Sequence, residues 1–290
     1  MKNKICSITV TYKPDFIINK QIKLLLKFID KIIIIDNGSV NKKMLQKISR
    51  YKKIFIVYNE ENIGLAAALN MGIKYAIKRG FKWVLALDQD SLPDKNMINK
   101  MIKVYNELSY DRKKDIGGIF PYHIELQNKN KLKITDNSYK FTETAITSGS
   151  MFKIDIFKKT GFFEEKLFID YIDYEFCLRA KKFGYKFIMV NNAILYHKLG
   201  DTKEIYFLNK KRVVTNHSPL RRYYITRNRF YVYKKYFNIA KNFIINDFKC
   251  FIKEIIKIIL FEKEKFSKLY MIFLGLIHFL FNRYGKLKGF

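Results

Sequence analysis

The chain has 290 residues, 49% of them hydrophobic and 16% aromatic, enough for one large domain or a domain with an appendage, which excludes wholesale disorder. Its 56 Lys and Arg against 26 Asp and Glu give a net charge of +30. That excess favours either a polyanionic partner or a lysine-rich codon bias, and the ten arginines among the 56 basic residues point to bias for most of it.

Cys6, Cys177 and Cys250 are far apart and show no CxxC spacing, which argues against a disulfide scaffold or zinc module and fits a reducing compartment. The apolar run before Thr11 is too short for a signal peptide. No stretch reaches the roughly 18 uncharged apolar residues of a spanning helix.

In chain order, Ile5–Tyr12 predicts a strand and Asp15–Phe28 a helix. Lys31–Ile35 is a continuous apolar strand stopped by the turn residues Asp36-Asn37-Gly38-Ser39. Lys42–Arg50 reads as a helix and Ile54–Tyr58 as a buried strand. Asn62–Arg79 reads as a helix with Asn62 as its cap and Gly80 just past its end. Trp83–Leu87 is a fourth strand, ending at Asp88. Continuous apolar strands separated by helices imply an α/β fold with a parallel sheet covered on both faces. Ligands of such sheets sit beyond the carboxyl ends of the strands, here at Thr11, Asp36, Asn59 and Asp88. Farther on, Ile116–Leu126, Thr144–Phe152 and Lys186–Tyr196 read as strands, some of them antiparallel, and Ile172–Phe183 as a helix closed by Gly184. Beyond residue 220 the chain is helical, aromatic and basic. With few Pro and Gly to form a linker, this part is expected to pack on the main domain.

Four features could carry chemistry. In Leu87-Asp88-Gln89-Asp90-Ser91 the two acids fall on one side of an extended chain, where they repel unless a cation separates them; Mg²⁺ or Mn²⁺ with substrate phosphates is the natural occupant, a solvated acidic turn the plainer one. Asp170, Asp173 and Glu175 cluster at a helix start, as a cap and dipole complement or as a general base. His197 follows an apolar strand, open to a structural or a metal-ligand role. Thr147-Ser148-Gly149-Ser150 is a small-residue loop that would let backbone approach a ligand, or a tight turn.

Each feature alone is weak, but their order is specific. The segments ITVTYKPD, IIIIDNGS, NIGLAAALNMGI, WVLALDQDS, TSGSMF, GFFEEKLFIDYIDYEFCLRAKKFGY, LYHKLG and RRYYITRNR closely resemble the family 2 glycosyltransferases of the GT-A fold. Within them the chain looks most like the bacterial rhamnosyltransferase group that builds surface polysaccharides. The resemblance covers about residues 5–235. It implies a GT-A domain over residues 1–235, with a mostly parallel central sheet and helices on both faces, followed by a basic amphipathic helical tail over 236–290.

It also implies roles. Thr11 and Tyr12 would line the base and ribose, Asp36 would meet the base, and Asn62, Gly64 and Asn70 would flank the nucleotide. Asp88 would lie near the ribose and metal, Asp90 would ligate the cation, His197 would complete its shell, and Asp173 would be the base. The acid that usually precedes the base is Ile172 here, with Asp170 and Glu175 the nearest substitutes. The implied reaction is a single inverting displacement from a nucleoside diphosphate sugar, dTDP-rhamnose or a UDP-sugar, to a lipid-linked glycan, assisted by Mg²⁺ or Mn²⁺.

In the tail, Lys249, Lys253 and Lys257 form one stripe, with Phe248, Ile252, Ile255 and Ile259 on other faces. Tyr270–Phe281 is strongly apolar and is followed by Arg283, Lys286 and Lys288. This composition fits a helix lying on an anionic membrane, here the inner face of the cell membrane with the enzyme in the cytoplasm, or else a core or dimer-forming helix. Nucleic acid is not expected as a partner, since a basic nucleic-acid-binding protein leaves the ordered acids unexplained. A sugar-phosphate nucleotidyltransferase would need a Gly-rich phosphate loop where Pro14-Asp15 stands.

Overall fold

In the computed structural model, residues 4–125, 138–197, 203–207 and 210–289 are described. Leu126 and the 198–200 part of the LYHKLG segment lie outside them. Four strands open the chain: β1 (Ile5–Thr11), β2 (Lys31–Asn37), β3 (Ile54–Asn59) and β4 (Trp83–Asp88). They pair in parallel in the order β3-β2-β1-β4. Helices α1 (Ile17–Leu25), α2 (Lys43–Ile48) and α3 (Leu65–Lys78) make the crossovers.

The near-continuous apolar character of β2 has a direct cause. Ile32 and Ile34 enter the core under α1 and α2, and Ile33 and Ile35 enter the opposite core under α3. Both faces are therefore dry. The register puts Thr11 opposite Asp36, Val10 opposite Asp88 and Asn37 opposite Asn59, so the polar strand ends form one row.

The second half is mixed. After β5 (Leu92–Pro93), α4 (Met97–Glu107) and α5 (Tyr110–Asp115) come β6 (Ile116–Glu125), β7 (Tyr139–Thr142), β8 (Met151–Lys153), α6 (Ile154–Thr160), α7 (Ile172–Lys182) and β9 (Lys186–His197). β8 lies antiparallel between β4 and β6, and β6 runs parallel to β9. β5 and β7 both pair antiparallel with β9. β10 (Lys203–Phe207) and β11 (Lys210–Val214) form a separate hairpin. The C-terminal layer is α8 (Pro219–Tyr236), α9 (Lys241–Phe261) and α10 (Lys265–Leu280).

Several sequence expectations change. The helix expected from Asn62 starts at Leu65 behind Gly64, because the Asn62 side chain is taken by a loop. The strand expected over Thr144–Phe152 is reduced to β8, and the stretch before it is loop, with its backbone turned to the site. The strand expected to be buried at Ile54–Tyr58 is the sheet edge, with Phe55 and Tyr58 exposed, and α4, α5 and α6 lacked a counterpart, although α4 shows its apolar spacing at Met97, Met101 and Val104. The cysteines are free, with Cys6 and Cys177 buried and Cys250 exposed. No helix among the described residues is long and apolar enough to cross a membrane.

Candidate active site

The site forms where β4 ends. Gln21 of α1 is fully buried on that helix's apolar face. Its amide donates to the carbonyls of Asp88 (2.8 Å) and Ser91 (2.7 Å) and accepts from the Thr9 hydroxyl (3.1 Å). This side chain folds the segment after β4 into a tight turn. Gln89 faces the other way and pairs with both the N–H (2.9 Å) and the carbonyl (3.0 Å) of Tyr12. Asp88 and Asp90 are left pointing outward, with side chains 38% and 39% exposed.

The antiparallel pairing of β5 with β9 sets Leu92 opposite Tyr196 and so delivers the next residue, His197, to the two acids. Its Nε2 lies 3.9 Å from Asp88 Oδ2 and its Nδ1 3.9 Å from Asp90 Oδ1. Ligand atoms of the three residues all fall within 4.8 Å of one another. Nδ1 also meets the Ser91 hydroxyl at 2.7 Å, Ser91 meets the Ser148 hydroxyl at 2.7 Å, and Ser148 accepts the Asp88 N–H at 3.1 Å. This relay fixes the ring plane and leaves Nε2 facing the Asp88 carboxylate, free for a cation, as a metal-binding imidazole requires. Two carboxylates and one imidazole with accessible oxygens suit a hard divalent cation. Partial withdrawal from water raises the Asp88 carboxyl above its usual range, and neighbouring His197 opposes the shift.

Asp173 stands in the first turn of α7. Its Oδ1 accepts the Tyr174 N–H (2.9 Å) and its Oδ2 the Thr147 N–H (3.3 Å) from the small-residue loop. Burial pushes the carboxyl up to about 7, against the pull of the Tyr174 amide and with help from the Asp170 charge. A carboxylate that titrates near neutrality is suited to taking a proton. The two substitutes are otherwise engaged. Glu175 is fully buried and held by Arg179, Lys235 and Tyr236, which serves structure. Asp170 forms an ion pair with Arg221 (3.1 Å), and the guanidinium is held charged by Asp170, Asp88 and Asp90.

The remaining candidates divide. Tyr12 is 43% exposed beside the acids. Thr11 and Asp36 are fully buried: Thr11 donates to Asp36 Oδ1 (3.0 Å), as does the Ser39 hydroxyl (2.6 Å). They form a floor beneath the strand ends. Asn62 accepts from Gly64 N–H (2.9 Å) and Asn37 Nδ2 (2.9 Å), which shapes the turn into α3. Gly64 has φ +92°, and a Cβ there would come within 2.9 Å of the Phe168 carbonyl. Asn70 is not brought to the acids. It is 1% exposed and bonds Phe163 N–H, the Phe163 carbonyl and Glu165, so it secures the loop before α7.

Sequence reasoning missed Gln21, Gln89, Ser91 and Arg221. A glutamine on an apolar helix face was the one visible signal; the others depend on contacts between distant segments.

The model of glycosyl transferase family 2 matches residues 14–161, half of the chain. The dTDP-rhamnosyl transferase RfbF of Shigella flexneri is 29% identical over 256 residues, 81% of this chain and 81% of its own length. The uncharacterized glycosyltransferase MJ1057 of Methanocaldococcus jannaschii is 28% identical over 226 residues, 71% of this chain and 74% of that one. Among solved structures, GalNAc-T7 with UDP, GalNAc and Mn²⁺ superposes with a TM-score of 0.56 at 13% identity, over 67% of this chain but 43% of that one. S. aureus TarS 1–349 gives 0.54 at 16% identity, over 97% and 73% of the two chains. At these identities the structural likeness is one of fold, and that fold is GT-A.

Proposed function

Since the chain belongs to glycosyl transferase family 2 and is a nucleotide-sugar glycosyltransferase, we propose that it moves a sugar, from dTDP-rhamnose or a UDP-sugar, to a hydroxyl of a lipid-linked surface glycan with inversion of the anomeric centre. The observation that carries this reading is the pairing of an outward Asp88–Asp90–His197 cluster with a third, desolvated carboxylate at Asp173.

Asp88, Asp90 and His197 would hold Mg²⁺ or Mn²⁺, which when bound neutralises the diphosphate leaving group. Thr11 and Asp36 support the floor under the base, Tyr12 offers its exposed ring to it, and Asn62 and Gly64 shape the adjoining turn. Asp173 takes the proton from the acceptor hydroxyl as that oxygen attacks the anomeric carbon from the face opposite the diphosphate. Proton transfer and alignment by fixed groups supply the acceleration. A panel of nucleotide sugars with Mn²⁺, scored by released nucleotide, tests the reading. Metal-dependent turnover of dTDP-rhamnose or a UDP-sugar is expected. No turnover together with salt-sensitive RNA binding would overturn it.

Residues 1–235 form the catalytic domain in this reading, and 236–290 form a layer that lies on an anionic membrane at the cytoplasmic side. The exposed side chains support it. On α9, Phe248, Ile252, Ile256 and Ile259 are all more than 40% exposed, as are Phe266 and Phe273 on α10. Lys249 and Lys253 of α9, Lys265 of α10 and Lys263 in the turn between them are exposed. An apolar ridge flanked by lysines matches an anionic bilayer in both shape and charge. Full-length protein should float with anionic liposomes and less with neutral ones, with high salt weakening the attachment by removing about 1 kcal/mol per surface Lys. Phe266→Glu with Phe273→Glu should lower flotation and leave donor turnover in solution unchanged. Full-length protein that never floats would refute the anchor.

A further inference from the structure

The segment before α7 is held in a conformation that the sequence does not favour. Phe168, Asp170 and Tyr171 all have positive φ, at 68°, 61° and 62°, and none is glycine. Residues of this kind persist in the left-handed region only where surrounding contacts over-determine them. Most of those contacts come from one turn of α8, and the rest from Asp247 of α9 and Gly285 beyond α10. The Asn228 amide, fully buried, donates to three carbonyls at once: Leu167 (2.9 Å), Ile169 (2.7 Å) and Asp170 (3.0 Å). Arg227, 1% exposed, adds a bond to the Leu167 carbonyl (3.0 Å) and one to Gly285 (2.8 Å), whose own N–H returns to Lys166 (2.7 Å). The Tyr171 hydroxyl is seated on Asp247 (2.7 Å) and receives the Arg229 Nε–H.

The Phe168 carbonyl, which α8 does not take, accepts the N–H groups of Leu65 (2.7 Å) and Ala66 (3.3 Å) at the start of α3. The segment therefore joins the donor-side turn at Gly64 to the helix that carries Asp173. An Asn amide has two N–H groups, and sharing them among three carbonyls in a dry interior fixes the strand of backbone in three places.

We propose that Asn228, with Arg227 beside it, is a positioning residue for the transfer reaction: it locks the 167–171 segment so that Asp173 stands at a fixed place relative to the Asp88–Asp90–His197 cluster. This rests on Asp173 as the base. Asn228 touches neither donor nor acceptor in this arrangement and acts through the backbone that Asp173 follows. Displacing a base by about 1 Å costs on the order of 10² in rate.

The test is Asn228→Ala, measured for kcat, for donor affinity by calorimetry with Mn²⁺, and for melting temperature, alone and combined with Asp173→Asn. The expected result is a kcat about 10- to 100-fold lower with donor affinity within about threefold of wild type. In the Asp173→Asn background the same change should lower the residual rate no further, because both act through one group. A merely structural role predicts that donor affinity and kcat fall together and that the losses add. If Asn228→Ala does not fold, Tyr171→Phe loosens the same segment by one oxygen without a change of volume, and kcat should fall while donor affinity holds. Wild-type kcat in a folded Asn228→Ala or Tyr171→Phe protein overturns the proposal. If Asp173→Asn itself transfers normally, the assignment of the base has failed, and the separate Asp173 measurement identifies that outcome.

Discussion

Asp173→Asn is expected to bind donor as the wild type does and to lose glycosyl transfer by a factor on the order of 10² or more. The amide fits the same space. Its oxygen can still accept one of the N–H groups of Thr147 and Tyr174 that the carboxylate now accepts. What disappears is the site for the proton. The pH dependence has a definite sign. Burial holds the Asp173 carboxyl up at about 7, so in free enzyme the base is protonated below that pH and kcat/KM should rise with pH to a plateau above it. The same shift acts on stability in the opposite direction. Between the ordinary carboxylate range near 4 and pH 7, the folded protein binds a proton that the unfolded chain has released, so folding stability from this group is lost as pH rises through that window. The Asn variant lacks this titration. It should gain melting temperature on the wild type when pH moves from 5 to 8 while remaining inactive. A variant that transfers at the wild-type rate, while Asp170→Asn does not, would mean that the wrong acid has been named.

Asp90→Ala is expected to abolish metal-dependent donor binding with the fold unchanged. Its side chain is 39% exposed and faces His197 across 3.9 Å, so removing it leaves no buried group stranded. Exposed substitutions of this kind usually alter stability by within about 0.5 kcal/mol. Calorimetry of nucleotide binding with and without Mn²⁺, beside a melting curve, is the measurement. In the wild type the metal should strengthen nucleotide binding; in the variant the two titrations should coincide. Metal-dependent affinity that survives in the variant would remove Asp90 from the cluster. The contrast with Asp36→Ala is informative, because Asp36 is fully buried under Thr11 and Ser39 and its removal should cost stability first.

Much of this is legible in the sequence. The run Ile32–Ile35 announced a strand buried on both faces, and the polar residues that stop it and its neighbours marked the site edge. Asp88, Asp90 and His197, named from segments about a hundred residues apart, do come together. Asp173 stands out in the sequence in spite of Ile172 before it, and only the structure shows that the neighbouring Glu175 is consumed by Arg179, Lys235 and Tyr236. Asn70 shows the limit of reading by position: its side chain faces the loop at Phe163 and Glu165. The tail shows another. Its ridge is exposed as the alternation of Lys and apolar residues suggests, yet Asp247 bonds Tyr171 and Gly285 bonds Lys166, just before the helix that carries Asp173.

The sequence by itself determined the parallel α/β sheet, the row of polar strand ends and the identity of the acids, because periodicity and strand termination are local properties of the chain. Only the tertiary structure decided how those acids are held. Gln21 bends the Asp88–Ser91 turn from another helix, the β5–β9 pairing delivers His197, and Asn228 fixes three carbonyls from sixty residues away. Two of these are bonds between a buried polar side chain and a distant backbone, and the third pairs two strands about a hundred residues apart. The value of each depends on the exclusion of water, which no local pattern records.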